Sequence, residues 1–420
     1  MMMILAIVLP LVGLLLPRRA AWVAAALGFV ALCFGFGTSI DVAWLGGIHF
    51  SLAMSGFGAA LALLASLSTA VVVAAAPPGR RPLLLALGAA AVGVFLARDV
   101  VVLYVFWELM LIPAYFLVGG RAATQFLVYN VAGSLCMLLG FLALATTGGF
   151  ALPMTVPASG LVLLGVMLGF AAKAPLWPLH GWQADAYSAA PADAAALMAG
   201  VQSKAGLFGF FMVAMPALPA SARPWLLAFG IIAVLYGAFA AIRQDEVRRL
   251  LAYSSVGHLG LMFLGLASGT AFGVEGAIIL AVAHGLYTVA LFLLTGRLED
   301  ALGRPARLAD LGGLYRGSPG MGAIFTFTGM AALGLPGLAG FPGELLILIG
   351  LWSVSPWLAA AAGLGVVLAA VYMLRPIQGI FLGPPREGPR VGVVWALAPM
   401  LLLLLAVGLD PQLLWGVAHP

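Results

Sequence analysis

Charge is what this chain has least of. Only 8% of its 420 residues are Asp, Glu, Lys or Arg, 64% are hydrophobic, and the mean hydropathy is +1.15. That balance excludes an ordinary soluble domain and makes a bilayer the solvent. Cysteine is nearly absent too: Cys33 and Cys136 lie in separate apolar stretches with no metal-ligand spacing, which excludes an iron–sulfur framework or a metal site and leaves helix packing as their role. There is no dinucleotide fingerprint, and no stretch suggests a flavin or quinone pocket, so the chain is expected to carry no cofactor and no redox chemistry. The strict alternation of barrel strands is missing from the long Leu/Ala/Gly/Val runs, which excludes a membrane barrel. The first apolar run has no basic residue before it and Arg18 and Arg19 after it, unlike a cleaved signal peptide. It is expected to remain as a helix.

What is present is a series of apolar stretches of bilayer length, cut by Pro, Gly and Arg clusters. Each crossing needs about 20 residues, and in lipid only helices and closed barrels satisfy every backbone group. The sequence therefore predicts an all-α integral membrane protein with about fourteen transmembrane helices. The segments fall near Met3–Leu16, Trp22–Phe36, Leu52–Ala76, Leu83–Leu96, Val100–Val118, Ala123–Thr146 and Leu161–Lys173. After a polar-aromatic connector come Ala194–Met215, Trp225–Ile242, Leu250–Leu266, Phe272–Leu294, Met321–Gly350, Trp357–Phe381 and Val391–Val407.

The net charge of +5 reports loop orientation, not a nucleic-acid partner. Arg18 and Arg19, Arg80 and Arg81, Arg121, the Arg243/Arg248/Arg249 group, the Arg297/Arg304/Arg307/Arg316 loop, and Arg386 with Arg390 all follow odd-numbered segments. Even-numbered exits carry only Arg98 and Arg223. Under the positive-inside rule this alternation supports the count and places both termini on the outer, periplasmic side of the cell (inner) membrane.

Two segments are interrupted. Segment seven ends in Lys173-Ala-Pro-Leu-Trp-Pro-Leu-His180, and segment twelve contains Gly334-Leu-Pro-Gly-Leu-Ala-Gly-Phe-Pro-Gly343. Proline removes a helix hydrogen bond, and irregular backbone at membrane depth is tolerated only where protein or water covers it. Each break is thus a candidate hydrated cavity; the alternative is a kink repaired by neighbouring helices. The breaks lie five crossings apart, so a five-helix unit repeats with inverted topology. Residues 1–82 would hold three N-terminal helices, 83–216 the first repeat (helices four to eight), 225–381 the second (helices nine to thirteen) and 391–420 the C-terminal helix.

The chain has two lysines and seventeen arginines. Both lysines, Lys173 and Lys204, fall within or at the end of apolar segments, while nearly all the arginines lie in loops. A desolvated lysine can release its proton near neutral pH, which arginine cannot, so lysine at depth suits a proton relay. Glu108 lies about 12 Å along segment five at 1.5 Å per residue, near the midplane. Glu344 follows the break in segment twelve as Lys173 flanks the break in segment seven. An intramembrane charge costs at least about 2.5–3.5 kcal/mol, so four of them call for an explanation. A proton path is one; buried salt bridges that fix helix register are the other. A Glu108–Lys173 contact is the natural resting pair. His258 and His284, on segments ten and eleven, suit proton shuttling, ordinary packing, or a haem clamp. His180, Trp177, Trp182 and Asp185 belong to the connector and frame an entry or an interfacial turn. Arg375 is close enough to the end of its helix to snorkel, and Glu275 sits near the start of segment eleven.

Four motifs carry a resemblance: Phe106-Trp-Glu-Leu-Met-Leu-Ile-Pro113, Lys173-Ala-Pro-Leu-Trp-Pro-Leu-His-Gly-Trp182, Arg249-Leu-Leu-Ala-Tyr-Ser-Ser-Val-Gly-His258 and Gly334-Leu-Pro-Gly-Leu-Ala-Gly-Phe-Pro-Gly-Glu344. In this order they resemble the M-type antiporter-like subunit of bacterial respiratory complex I, an NADH:quinone oxidoreductase, from about segment four to segment thirteen. The resemblance implies a fourteen-helix fold with two inverted halves, a hydrated axis, and proton pumping driven by quinone reduction elsewhere. It implies Glu108, Lys173, Lys204, His258, His284 and Glu344 as relay residues, L-type and N-type antiporter-like subunits as partners, and NADH and quinone bound by other subunits. Glutamate at position 344 favours the M-type. The chain departs from the pattern in its trimmed loops, in Ala184-Asp-Ala-Tyr187 where the family has Pro-Asp-Ala-His, and in Gln125 where relatives often have lysine. Subunits of multisubunit sodium/proton antiporters and of membrane-bound hydrogenases share the expected fold and are the rival assignment.

Overall fold

The computed structural model describes residues 1–13, 16, 20–154, 156–384 and 389–414. Arg18, Arg19 and Arg386, three of the residues behind the orientation argument, lie outside these. The described residues form a helical chain in which eight helices are long and apolar enough to cross a membrane, and six further apolar helices have 10–17 residues.

In chain order the helices are α1 (Met2–Val12), α2 (Ala21–Cys33), α3 (Gly56–Ala75), α4 (Arg81–Leu96), α5 (Val100–Leu109), α6 (Leu111–Val118), α7 (Gly120–Gly148), α8 (Gly160–Lys173), α9 (Gln183–Ala189), α10 (Ala192–Leu197) and α11 (Lys204–Gly209). They continue as α12 (Arg223–Ile242), α13 (Val247–Ser268), α14 (Ala271–Leu302), α15 (Pro319–Ala332), α16 (Gly340–Val354), α17 (Pro356–Pro376) and α18 (Ala398–Leu409). Each segment expected from the sequence overlaps one or two of these, although residues 14 and 15 of segment one lie outside the described residues and segment fourteen is helical only from Trp395.

One element differs. Leu52, expected at the start of segment three, belongs instead to an antiparallel hairpin of β1 (Ser39–Leu45) and β2 (Ile48–Ala53). Its two-residue turn is Gly46-Gly47, both at positive φ, the geometry that matches strand twist and that glycine adopts without strain. The hairpin is anchored by charge. Asp99 caps α5 by accepting from the Val101 N–H at 2.7 Å and also accepts from the His49 N–H at 3.2 Å. Next to it, Arg98 donates to the Ser55 carbonyl and hydroxyl at 3.1 and 3.0 Å.

The chain divides into two compact units. Among the described residues, the first is built from Met1–Trp182 and Val201–Ala228, and the second from Gln183–Gly200 and Phe229–Leu413. In the second unit almost all of the apolar stretch of α13 and all of that of α14 is buried (94% and 100%), against 33% for the span Pro356–Leu382. The first two are thus interior helices and the last presents an apolar face outward. In the first unit α7 does the same, with Val128, Leu135, Leu139 and Leu142 more than half exposed. Where helices meet, small residues let backbones approach. A Cβ at Gly276 of α14 would collide with Gly343 and Ile347 of α16, and one at Gly206 of α11 with the Phe170 carbonyl and Ala174 at the end of α8.

Both expected breaks are present, and their hydrogen bonds explain why the chain tolerates them. α8 stops at Lys173 because Pro175 has no N–H to continue it; the Leu176 N–H returns to the Ala171 carbonyl at 2.9 Å. α15 ends in a Schellman motif. Gly334 is left-handed at φ +73°, and the Leu335 and Gly334 N–H groups donate to the Met330 and Ala331 carbonyls at 3.1 and 3.4 Å, the pairing that satisfies orphan carbonyls at a helix end. A third irregularity surrounds Lys204, where Met198–Gln202 and Phe210–Ala214 are π-helical. A fourth splits segment five at Met110, three residues before the α6 proline Pro113.

Candidate functional site

In the first unit, Lys173 is the last residue of α8, where the negative end of the helix dipole favours a cation. It is 1% exposed. Its Nζ makes no hydrogen bond and lies 4.9 Å from the centroid of the Trp107 ring, a desolvated cation–π contact worth about 2 kcal/mol. Glu108, the residue after Trp107, acts on Lys173 electrostatically, and its Oε1 is buried with no hydrogen-bond partner. The expected Glu108–Lys173 contact is therefore not hydrogen-bonded here. Trp107 occupies the place where the ammonium rests, and the pair interacts through space. Tyr104, one turn before Glu108 on α5, interacts with both the Glu108 carboxylate and the Ser134 hydroxyl of α7.

Lys204 opens α11 and is fully buried. Its Nζ donates to the Ser203 hydroxyl at 3.4 Å. Both side-chain polar atoms of the neighbouring Gln202 are buried with no hydrogen-bond partner. Close approach at Gly206 sets this stretch against the end of α8, where Lys173 sits.

In the second unit, α13, α14, α16 and α17 bring a second set together. His258 and His284 have ring centroids 5.5 Å apart, and the Tyr287 ring lies 5.8 Å from the first and 5.3 Å from the second. His258 Nδ1 faces the Ser254 carbonyl at 2.9 Å, and Nε2 faces the Ala332 carbonyl at 3.1 Å and Glu344 Oε1 at 3.7 Å. Carbonyl oxygens only accept, so both contacts are hydrogen bonds together only in the imidazolium form. The geometry sets the His258 ring beside the Glu344 carboxyl group. Glu344, the fifth residue of α16, is 3% exposed and packs against Gly334 in the break. His284 Nδ1 lies 3.4 Å from the Thr288 hydroxyl. A small cavity of about 10 Å³ touches His258, Glu344 and Tyr372.

Several other charged groups have structural partners. Arg248 pairs with Glu299 and donates to the Ala190 carbonyl at 2.6 Å; Glu299 also accepts from the Ala306 N–H at 3.2 Å. Arg249 pairs with Asp185 of the connector at 2.7 Å. Arg375 reaches the carbonyls of Ile242 and Gln244, so its expected snorkelling ends at the negative C-terminus of α12. In the connector, the Trp182 indole donates to the Ala172 carbonyl at 3.0 Å and Gln125 to the Gly181 carbonyl at 3.2 Å. Burial holds the His180 imidazole below its ordinary value.

Sequence reasoning located the six ionisable residues but not what surrounds them. Trp107, Tyr104 and Ser134, Gln202 and Ser203, and Tyr287 and Tyr372 carry no charge, and within apolar helices they look like packing. The spacings of Tyr104 and Glu108, four apart, and of His284 and Tyr287, three apart, put each pair on one helix face and are the signals that could have pointed to these partners.

The family model described as NADH:quinone oxidoreductase/Mrp antiporter, TM, matches residues 97–370, a span that contains Glu108, Lys173, Lys204, His258, His284 and Glu344. The chain belongs to this family. NADH-quinone oxidoreductase subunit 13 of Thermus thermophilus is 37% identical over 350 residues, covering 78% of this chain and 74% of the relative. Subunit M of the Escherichia coli NADH-quinone oxidoreductase is 33% identical over 364 residues, covering 78% and 71%. Among solved structures, a chain of respiratory complex I from Thermus thermophilus superposes with a TM-score of 0.93 at 34% identity, covering 100% of this chain and 98% of that one. A chain of the Mrp complex from Dietzia, at 23% identity and a TM-score of 0.86, shares the fold. The family is one of multi-pass membrane proteins, in keeping with the helices above.

Proposed function

We propose that this chain is the proton-translocating, antiporter-like M-type membrane subunit of an NADH:quinone oxidoreductase. The observation that carries the reading is the placement of the two lysines and Glu344: all are buried, and each stands where helix geometry is interrupted. Protons are taken up by the Glu108, Lys173 and Lys204 set. Opening and closing of the Glu108–Lys173 interaction biases their release, and the His284, His258 and Glu344 set discharges them on the outer side. The groups titrate as coupled sets. Of the fourteen crossings, helices four to eight and nine to thirteen form two inverted five-helix repeats, with both termini on the outer side of the inner membrane.

Electrons travel in other subunits, which bind NADH and quinone, and L-type and N-type antiporter-like subunits are the lateral partners. This chain needs no cofactor. In particular, both nitrogens of His258 are engaged by carbonyls, which leaves none for haem ligation.

The test uses the assembled complex in proteoliposomes with a pH-sensitive dye. Lys204→Ala and Glu344→Ala are each expected to abolish pumping while electron transfer continues at a reduced rate; full pumping in either variant overturns the scheme. The shared fold with the Mrp complex keeps a sodium/proton antiporter subunit as the second reading. Transport that requires sodium and proceeds without an electron donor would establish it instead.

A further inference from the structure

The second set contains two hydroxyls to which the relay above gives no role. Tyr287 is 2% exposed, and its hydroxyl is buried with no hydrogen-bond partner, although leaving such a group unpaired costs stability. Its ring touches both histidines, as the distances above show. Tyr372, on α17, is also 2% exposed and lines the small cavity with His258 and Glu344. Both tyrosines lie within electrostatic reach of Glu344.

The histidine geometry leaves a gap that these groups fit. Both His258 nitrogens already face carbonyls, so His258 has no further donor to present to His284. A proton moving between His284 and Glu344 therefore needs a group that donates and accepts at once, which a tyrosine hydroxyl or a water does. A cavity of about 10 Å³ is at the threshold for one water, and a buried water needs two to four polar partners; of the residues lining it, Glu344 and Tyr372 supply two.

We propose that Tyr287 and Tyr372 belong to the proton relay at Glu344: the Tyr287 hydroxyl links the histidine pair to the carboxylate, and the cavity takes one water shared by Glu344 and Tyr372. The inference rests on the relay reading above and adds two residues and a water site to it. The proton hops along hydrogen bonds that form when the Tyr287 hydroxyl and the water turn toward their neighbours, each group giving one proton as it gains another, so neither tyrosine changes its net charge.

Tyr287→Phe and Tyr372→Phe remove a hydroxyl and keep the ring. Each variant is compared with Glu344→Gln in the assembled complex, by pumping in proteoliposomes and by the carboxyl stretch in infrared difference spectra, assigned as the band lost in Glu344→Gln. The expected result is a fall in pumping of about tenfold, below what a positioned proton-transfer group commonly contributes, with a shifted carboxyl band in both variants. A purely packing role would leave that band unmoved. Full pumping with an unshifted band in either variant overturns its assignment, and if Tyr287→Phe does not assemble, Tyr372→Phe alone decides. Full pumping in Glu344→Gln itself would defeat the underlying relay, a failure distinct from that of the tyrosines.

Discussion

The ammonium of Lys173 rests over the face of Trp107, 4.9 Å from its centroid, instead of on the carboxylate of the adjacent Glu108. An aromatic face stabilises the charged amine without committing it to a hydrogen bond, so the lysine is held but free to exchange partners. Trp107→Leu removes that hold, about 2 kcal/mol for the charged form, and leaves Glu108 as the remaining attraction. Pumping by the assembled complex is expected to fall several-fold in Trp107→Leu and to recover in part in Trp107→Phe, which keeps a smaller aromatic face. Equal, undiminished pumping by both would show that the ring contact is only packing.

The approach of α8 and α11 makes a second, purely structural prediction. A Cβ at Gly206 collides with the Phe170 carbonyl, which is backbone and cannot swing aside, whereas a Cβ at Gly160, at the start of α8, meets nothing within 4 Å. Gly206→Ala is expected to lower stability by about 1–3 kcal/mol, the usual range for overpacking. Gly160→Ala is expected to be neutral or to stabilise by up to about 1 kcal/mol through helix propensity. Thermal inactivation of the detergent-solubilised complex measures both.

Arg248 and Glu299 form an ion pair with side chains 13% and 9% exposed. Removing one partner leaves a buried charge and costs about 3–5 kcal/mol, while removing both together costs far less. Arg248→Met should therefore impair assembly, and Arg248→Met combined with Glu299→Gln should restore most of it, since the glutamine oxygen still accepts from the Ala306 N–H. A double variant no better than the single one would mean that Arg248 acts chiefly through its bond to the Ala190 carbonyl.

Much of this architecture was legible because the bilayer restricts the options. Apolar runs had to be helices, and charges within them stood out against a nearly uncharged background; Pro175 and Gly334 announced the two breaks. The hairpin was the exception. Its alternation from Ser39 to Ala53 around Gly46-Gly47 is a strand signal, but most of it fell between two expected crossings, and its last residues, Leu52 and Ala53, merged with the apolar run of α3. The π-helical turns around Lys204 carry no sequence mark at all. Nor could sequence place Trp107 under Lys173 instead of Glu108 beside it, since consecutive residues of one helix point in different directions and only the packed position of α8 decides between them.

His180 supplies a pH signature. Burial depresses its folded value, so in acid the unfolded chain takes up a proton before the folded chain does. Linkage then requires stability to be complete above about pH 6.5, the unfolded value, and to fall as the pH drops below it until the folded form protonates as well. Inactivation temperatures measured from pH 5 to 8 should show this acid-side slope, and His180→Gln should flatten it. An unchanged slope would assign the acid sensitivity to other groups.

Gly334 and Gly337 permit the sharpest separation of strain from function. Both lie in the break before α16 at positive φ, +73° and +92°, so alanine at either is strained and costs about 1 kcal/mol or more. Their surroundings differ. A Cβ at Gly334 runs into the Glu344 carboxylate, and one at Gly337 meets nothing within 4 Å. Gly334→Ala and Gly337→Ala are thus expected to lose comparable stability, but only Gly334→Ala displaces Glu344 from His258 and lowers pumping. Measuring inactivation temperature and pumping on the same preparations isolates the carboxylate's position from the cost of the backbone. Equal pumping at equal stability would mean that Glu344 does its work without needing its place beside the break.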